Sequence, residues 1–416
     1  MKRVLLSFAF IFLLISAFTG CNNSPKAELK NGIWRAILKT KSGVEIPFNF
    51  ELIDSAGKTM ADIINGKERF KVDEISIKND SVIFQMPLFD SEIKAVIKNG
   101  ALSGKWVKHL ANKDAVMEFT AEPGVSWRFF KTNVTAKYNL TGRWSSTFIS
   151  KDGKDTTHAI GEFVQNGKKL KGTFLTSTGD YRFLEGTVSD DKLYLSCFEG
   201  GHAFLFTGKL ENDKTISNGK FYSGYSSVES WTAKKDNKAI LPDAYSLTAL
   251  KPGFKKIDFN FPNLVGEKIS LSDDKFKNKV VVVQLLGSWC PNCMDETAYL
   301  SPFYKKYKDR GVEVIGLAYE RTTDFEKSRQ NIQRLRNRFD VGYDMLVTGY
   351  TNDKQEVAKS LPMLNKFLAF PTTIIIDKKG DVRKIHTGFS GPGTGNHYIE
   401  FVNEFEKTID NLLAEK

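Results

Sequence analysis

The sequence predicts a multidomain chain, with two tandem antiparallel β domains followed by one α/β domain. Two observations carry this expectation. Between Lys30 and Lys235, short alternating apolar runs are separated by Asn-Gly, Ser-Gly, Ala-Gly and Asp-Gly pairs, the commonest hairpin signals. From Phe254 onward, apolar strand-like runs instead alternate with segments whose apolar residues recur at helical spacing. The chain of 416 residues is 41% apolar and 12% aromatic, enough to fill more than one core.

The start of the chain reads as an export segment over residues 1–21. Lys2 and Arg3 precede an apolar run from Val4 to Phe18, too short and wrongly flanked for a stable spanning helix. Thr19-Gly20-Cys21 follows, and small residues before a cysteine resemble the bacterial lipobox. There signal peptidase II cuts before the cysteine and lipid is attached to it. Phe18 stands where the usual leucine would be. The resemblance implies a lipoprotein anchored through Cys21 in the cell envelope, facing the periplasm or the exterior. An ordinary signal peptide with an unrelated cysteine, or an uncleaved anchor, would equally place the bulk of the chain outside the cytoplasm. Downstream of Cys21 no apolar run is long enough for a second span. The formal charge of +11 is spread along the chain without a known nucleic-acid motif, so it reads as a solvated surface rather than a nucleic-acid face.

The β region contains one unit twice, over residues 30–125 and 138–235. Gly32-Ile33-Trp34-Arg35 recurs as Gly142-Arg143-Trp144-Ser145. Val82-Ile83-Phe84-Gln85 is echoed by Leu193-Tyr194-Leu195-Ser196, and Ser103-Gly104-Lys105-Trp106 by Asn218-Gly219-Lys220-Phe221. A period this long means tandem domains, each a small antiparallel barrel or sandwich. Trp34 and Trp144 read as core plugs, with ligand stacking as the other possibility. The segment 122–139 would join the units, and 235–253, with Pro242, Pro252 and Gly253, would lead to the last domain, 254–416.

The most informative segment is Val280-Val281-Val282-Val283-Gln284-Leu285-Leu286-Gly287-Ser288-Trp289-Cys290-Pro291-Asn292-Cys293. A buried β-branched strand runs into a CxxC pair at a strand-to-helix turn. This puts the first sulfur at a helix N-terminus, where unpaired N–H groups and the positive dipole end stabilise a thiolate. Pro291 suits the first helical position. Two cysteines so spaced can close a small reversible disulfide. Half of a zinc site is the competing reading, but zinc needs about four ligands. Only Cys21 and Cys197 remain, with five scattered histidines. No metal and no cofactor is expected. Cys197, on one face of a strand with Leu193 and Leu195, reads as a small buried hydrophobe.

This segment resembles the thioredoxin superfamily, specifically the TlpA/ResA-like thiol-disulfide oxidoreductases. The elements after it follow the same order. Gly311–Ala318 is a second parallel strand, Asp324–Phe339 and Val357–Leu368 are helices, and Thr372–Asp377 with Val382–Phe389 forms a hairpin. Tyr398–Leu413 is the closing helix. Pro302 is expected to kink or break the helix that starts at the cysteines.

The resemblance implies the chemistry. Cys290, partly exposed, would be the attacking thiolate, and Cys293, more buried, would resolve the mixed disulfide. Trp289 would shield the pair and offer an apolar surface to a partner. Pro371 would be cis and face the cysteines, turning the backbone of Phe370 toward a substrate peptide. The alternative is an ordinary trans proline opening a strand. Gln284 occupies the place of thioredoxin's buried acid, so the proton needs another carrier. Glu296 matches a glutamate that ResA-like proteins place beside their cysteines; a solvated acid in the first helical turns is the plainer reading.

The function implied is a membrane-tethered oxidoreductase exchanging disulfides with exported proteins through Cys-Pro-Asn-Cys, more as reductant than oxidant. Its partners would be protein disulfides or dithiols, such as apocytochrome c in cytochrome c maturation, and a membrane thiol donor of the DsbD/CcdA type. Two alternatives stand beside it. A thioredoxin-fold peroxidase would need Thr or Ser three residues before the reactive cysteine and Pro seven before; here these are Gly287 and Val283. A lipoprotein binding module would have the β domains as its functional part.

Overall fold

The computed structural model describes residues 29–415. The expected signal peptide and lipidation at Cys21 lie outside the described residues. From Gly32 to Lys235 every regular element is a strand. The first sheet has nine strands between Gly32–Lys39 and Asp114–Pro123, and each pairs antiparallel with its sequence neighbour. The exception is Glu68–Val72 and Glu74–Lys78, where the sheet stays open. The first and last strands pair, Trp34 opposite Pro123, and give the sheet its barrel-like form.

The second sheet begins at Gly142–Ile149 and ends at Ser227–Lys235. These two strands pair with each other, and Thr156–Asn166 pairs with both Gly142–Ile149 and Lys169–Thr176. Neighbour after neighbour, the ring closes. Closure removes the unpaired edges that would otherwise recruit another strand. Alternation puts aromatic rings inside, among them Phe148, Phe174 and Phe206. Trp34 and Trp144 are fully buried, and each indole Nε1 donates to the carbonyl four residues earlier, Lys30 and Leu140, at 2.8 Å. We propose that the two sheets descend from one duplicated unit; these matched tryptophans support it.

The joining segments are not passive. Arg128 is buried, and its guanidinium donates to Ile64 O in the first barrel and Ser196 O in the second. In the second linker, Tyr245 meets His386 edge-on at 4.8 Å and the Thr248 and Thr387 hydroxyls are 2.8 Å apart.

The C-terminal sheet runs Asp344–Thr351, Val312–Glu320, Val280–Leu286, Thr372–Ile376, Val382–Thr387. The first three strands are parallel and the last two antiparallel. All seven residues of Val280–Leu286 are buried, the mark of a central strand covered on both faces. Four helices flank the sheet: α1 Pro291–Tyr307, α2 Phe325–Phe339, α3 Lys354–Ser360 and α4 Asn396–Ala414.

Two expectations about helices fail. The helix expected over Val357–Leu368 ends at Ser360, because Pro362 pushes Leu361 out of the helical region (φ −129°, ψ 68°). Of the kink or break expected at Pro302, the break does not occur: α1 continues to Tyr307, with Leu300, Phe303 and Tyr307 buried around an exposed proline. Apolar packing of the turns on both sides outweighs the lost backbone bond.

The candidate redox site

Cys290 is the N-cap of α1, and its Sγ accepts a hydrogen bond from Cys293 N at 3.2 Å. The two cysteines form a disulfide with their Cα atoms 5.2 Å apart. The sulfur nearest the helix start thus sits among donors and the positive dipole end, as the sequence led us to expect. The expectation that Cys290 is partly exposed is wrong: it is 5% exposed and Cys293 0%. The β barrels account for the difference. Gly179, which opens the short strand Gly179–Asp180 of the second barrel, lies so close to Asn292 that a Cβ there would fall 2.1 Å from its Nδ2, and a Cβ on Gly201 would meet Pro291 at 3.0 Å.

The turn before the cysteines is held from below. Glu320, buried at the end of its strand, accepts from Ser288 N and Ser288 Oγ, both at 2.7 Å. Trp289 donates from Nε1 to Tyr319 O at 2.9 Å and meets Phe370 edge-on at 5.4 Å. Gly287 has no room for a side chain, since a Cβ would fall 2.1 Å from the Trp289 indole. A side chain three positions before Cys290 would have to displace the Trp289 indole. The Phe370–Pro371 bond is cis.

Glu296 is 1% exposed and is no surface acid. Its Oε2 accepts from Gln284 Nε2 at 2.8 Å, and its Oε1 from Thr373 Oγ1 at 2.6 Å. Gln284 Nε2 also lies 3.4 Å from Cys293 O. Glu296 thus joins the central strand, the strand after Pro371 and the cysteine helix. Burial pushes its carboxyl up to about 7, with the two donors pulling it partly back.

One part of the site was missed in the sequence. Arg182, in the second barrel and 2% exposed, donates to Pro291 O at 3.2 Å, to Asp295 on α1 and to Glu68 of the first barrel. Asp180 receives Arg182 N at 2.5 Å and Gly391 N at 2.7 Å. Burial alone would lower the Arg182 pKa, but Asp295 and Glu68 reverse this and keep it charged. Burial also raises Asp295, with Arg182 opposing. Arg182 stands at φ +56°, a strained conformation for a residue with a side chain. Nothing in the local sequence around Tyr181-Arg182-Phe183 marks it, because its partners lie far away in the chain.

Among the described residues no group of His, Cys, Asp or Glu could hold a metal ion. Cys197 is buried and free, with its thiol 3.5 Å from Glu199 Oε2 and its pKa raised by burial.

A sheet of this order with a disulfide at the start of its first helix defines a thioredoxin-like thiol-disulfide oxidoreductase domain. Residues 252–385 match the AhpC/TSA family. The chain is similar to thiol-disulfide oxidoreductase ResA of Geobacillus kaustophilus, 29% identical over 143 residues, which are 34% of this chain and 72% of ResA. It is also similar to thioredoxin-like protein YneN of Bacillus subtilis, 28% identical over 139 residues, 33% of this chain and 73% of YneN. Among solved structures, a thiol-disulfide oxidoreductase from Bacteroides fragilis aligns at 21% identity and a TM-score of 0.28. That alignment covers 36% of this chain and 99% of the other.

Proposed function

We propose that Cys290 and Cys293 exchange disulfides with exported substrates, with Cys290 as nucleophile and Cys293 as resolving thiol. One observation carries this reading: the pair caps α1, with Cys290 Sγ at the helix N-terminus and Cys293 a turn deeper. In the reduced protein the Cys290 thiolate attacks a substrate sulfur, and Cys293 then attacks Cys290 Sγ to release the second substrate thiol. Glu296, buried beside Cys293 and poised near neutral pH, takes the Cys293 proton in that second step. Gln284 and Thr373 hold it there as positioning residues. Trp289, Phe370 and Pro371 present the substrate to Cys290.

In this reading the protein works as a reductant, recharged by a membrane dithiol of the DsbD/CcdA type, and lipid on Cys21 tethers it in the envelope. Among the described residues no helix is long and apolar enough to cross a membrane.

A Cys293→Ser variant should accumulate mixed disulfides, seen on non-reducing gels, while Cys290→Ser accumulates few. Equal trapping by both would sink the assignment. The reduction potential decides direction: a value near the roughly −270 mV of thioredoxin means a reductant, one near about −120 mV an oxidant. Cys21→Ser should abolish lipid processing; an unchanged mature mass and membrane fraction would remove the anchor.

A further inference from the structure

The cover over the cysteines is incomplete. A cavity of about 350 Å³ remains above Cys290. Its apolar walls are Trp289 and Phe370 from the redox domain and Tyr181 and Phe204 from the second barrel. Two cations also line it: Lys108 from the first barrel and Arg321 from the end of a redox-domain strand. Lys108 donates to Gly201 O, and Arg321 donates to His109 O at 3.0 Å while lying 5.5 Å from the centre of the Trp289 ring. Among the described residues neither is in an ion pair with a carboxylate.

The acidic residue on the wall, Asp180, is committed to the backbone N–H groups of Arg182 and Gly391. Glu199 compensates Lys108 only in part, as Glu320 and Asp90 do Arg321, whose pKa burial lowers; burial together with Arg321 lowers the Lys108 pKa to about 8. Burying like charges together is costly unless something of opposite sign joins them.

We infer that this cavity is the substrate pocket of the redox pair, selecting a disulfide with a carboxylate close to its sulfur, held by Lys108 and Arg321. The inference rests on the exchange reading above and names the chemistry that reading leaves open. A pocket of this volume accepts a narrow arm and excludes a folded surface. The arm is either a small acidic disulfide or an extended protein segment whose cysteine has an acidic flank.

The step balances within the protein. Cys290 thiolate forms a bond to one substrate sulfur as the substrate S–S bond breaks, and the departing thiolate takes a proton from solvent. Cys293 gives up its proton, bonds to Cys290 Sγ and releases the second substrate thiolate. Two electrons pass from the protein dithiol to the substrate, and a dithiol donor restores the pair.

The test uses the pre-reduced full protein and three small disulfides of similar size. Dithiodipropionate is anionic, hydroxyethyl disulfide neutral and cystamine cationic. Each rate of protein-thiol loss is divided by the rate of the same disulfide with dithiothreitol, which removes intrinsic reactivity. Dithiodipropionate should lead cystamine by at least about tenfold, the factor that ~1.4 kcal/mol of attraction produces. High salt should compress the ratio, and Lys108→Gln and Arg321→Gln should each reduce it. Equal normalised rates, or cystamine leading, would overturn the pocket even if neither variant folds. If no disulfide oxidises the pair, the exchange reading itself falls. Disulfide-linked peptides with Asp or Lys beside the cysteine separate the sources. An Asp peptide outrunning dithiodipropionate points to a protein segment, and the reverse to a small molecule.

Discussion

Glu296 joins the cysteine helix to the sheet through a buried carboxyl. Burial raises its carboxyl from the ordinary 4.5 to about 7, so the folded protein keeps a proton that the unfolded chain releases. Stability from the protonated form is complete below the unfolded value and is lost as pH rises through about 7. A shift of this size corresponds to roughly 3 kcal/mol. Wild type should therefore lose on the order of 3 kcal/mol more stability than Glu296→Gln between about pH 4 and pH 8. Urea titrations of both oxidised proteins measure this, and parallel pH dependences would remove the buried-acid account. In the reduced protein the same substitution should lower the Cys290 pKa and flatten the pH–rate profile of alkylation. Glu296 was a candidate from its place on the cysteine helix. Its partner Thr373, and hence its burial, depended on a strand far along the chain.

At the scale of elements, strong periodic signals survived and boundaries set by single prolines did not. Val280–Leu286 was readable because a short, β-branched apolar run, interrupted only by Gln284, leads straight into the turn at Cys290. Helix α2 was readable from its spacing; in the structure the Asp324 side chain caps it, accepting from Lys327 N at 2.7 Å. Pro362 ended one helix early while Pro302 left another intact. The rule for proline is the same in both. What differs is packing: Phe303 stacks on Tyr307 at 4.5 Å and meets Phe405 at 5.2 Å, which locks α1 beyond its proline. The position of Phe405 is not written near Pro302. The strand Asp344–Thr351 went unrecognised, since its polar second half hides the short apolar run Met345-Leu346-Val347.

At the scale of the whole molecule, Arg182 ties both β sheets to the cysteine helix. It comes from the second barrel and meets Glu68 of the first and Asp295 of the redox helix; Arg182 and Asp295 are buried and Glu68 partly so. Removing one member of such a cluster leaves uncompensated charge in a low dielectric. Arg182→Met should cost about 3–5 kcal/mol in urea denaturation and raise the rate at which Cys290 is alkylated. A variant with wild-type stability and unchanged alkylation would mean that the barrels are held over the cysteines by other contacts. Phe48 against Phe198 at 4.4 Å and Trp106 against Phe198 at 5.3 Å are the apolar part of the same junction.

The sequence by itself marked the cysteine pair at a strand-to-helix turn and the strand or helix character of most segments. Both are local: a CxxC at a strand-to-helix turn acts through its own helix terminus, and strand alternation and helical spacing are read within a few residues. Only the tertiary structure decided the environment of that chemistry. The near-complete burial of Cys290 and the cationic cavity come from residues on separate sheets, and the raised carboxyl of Glu296 from burial beside Thr373, 77 positions further along the chain. Their energies arise from desolvation and from charges brought together through space, and neither leaves a periodic trace along the chain.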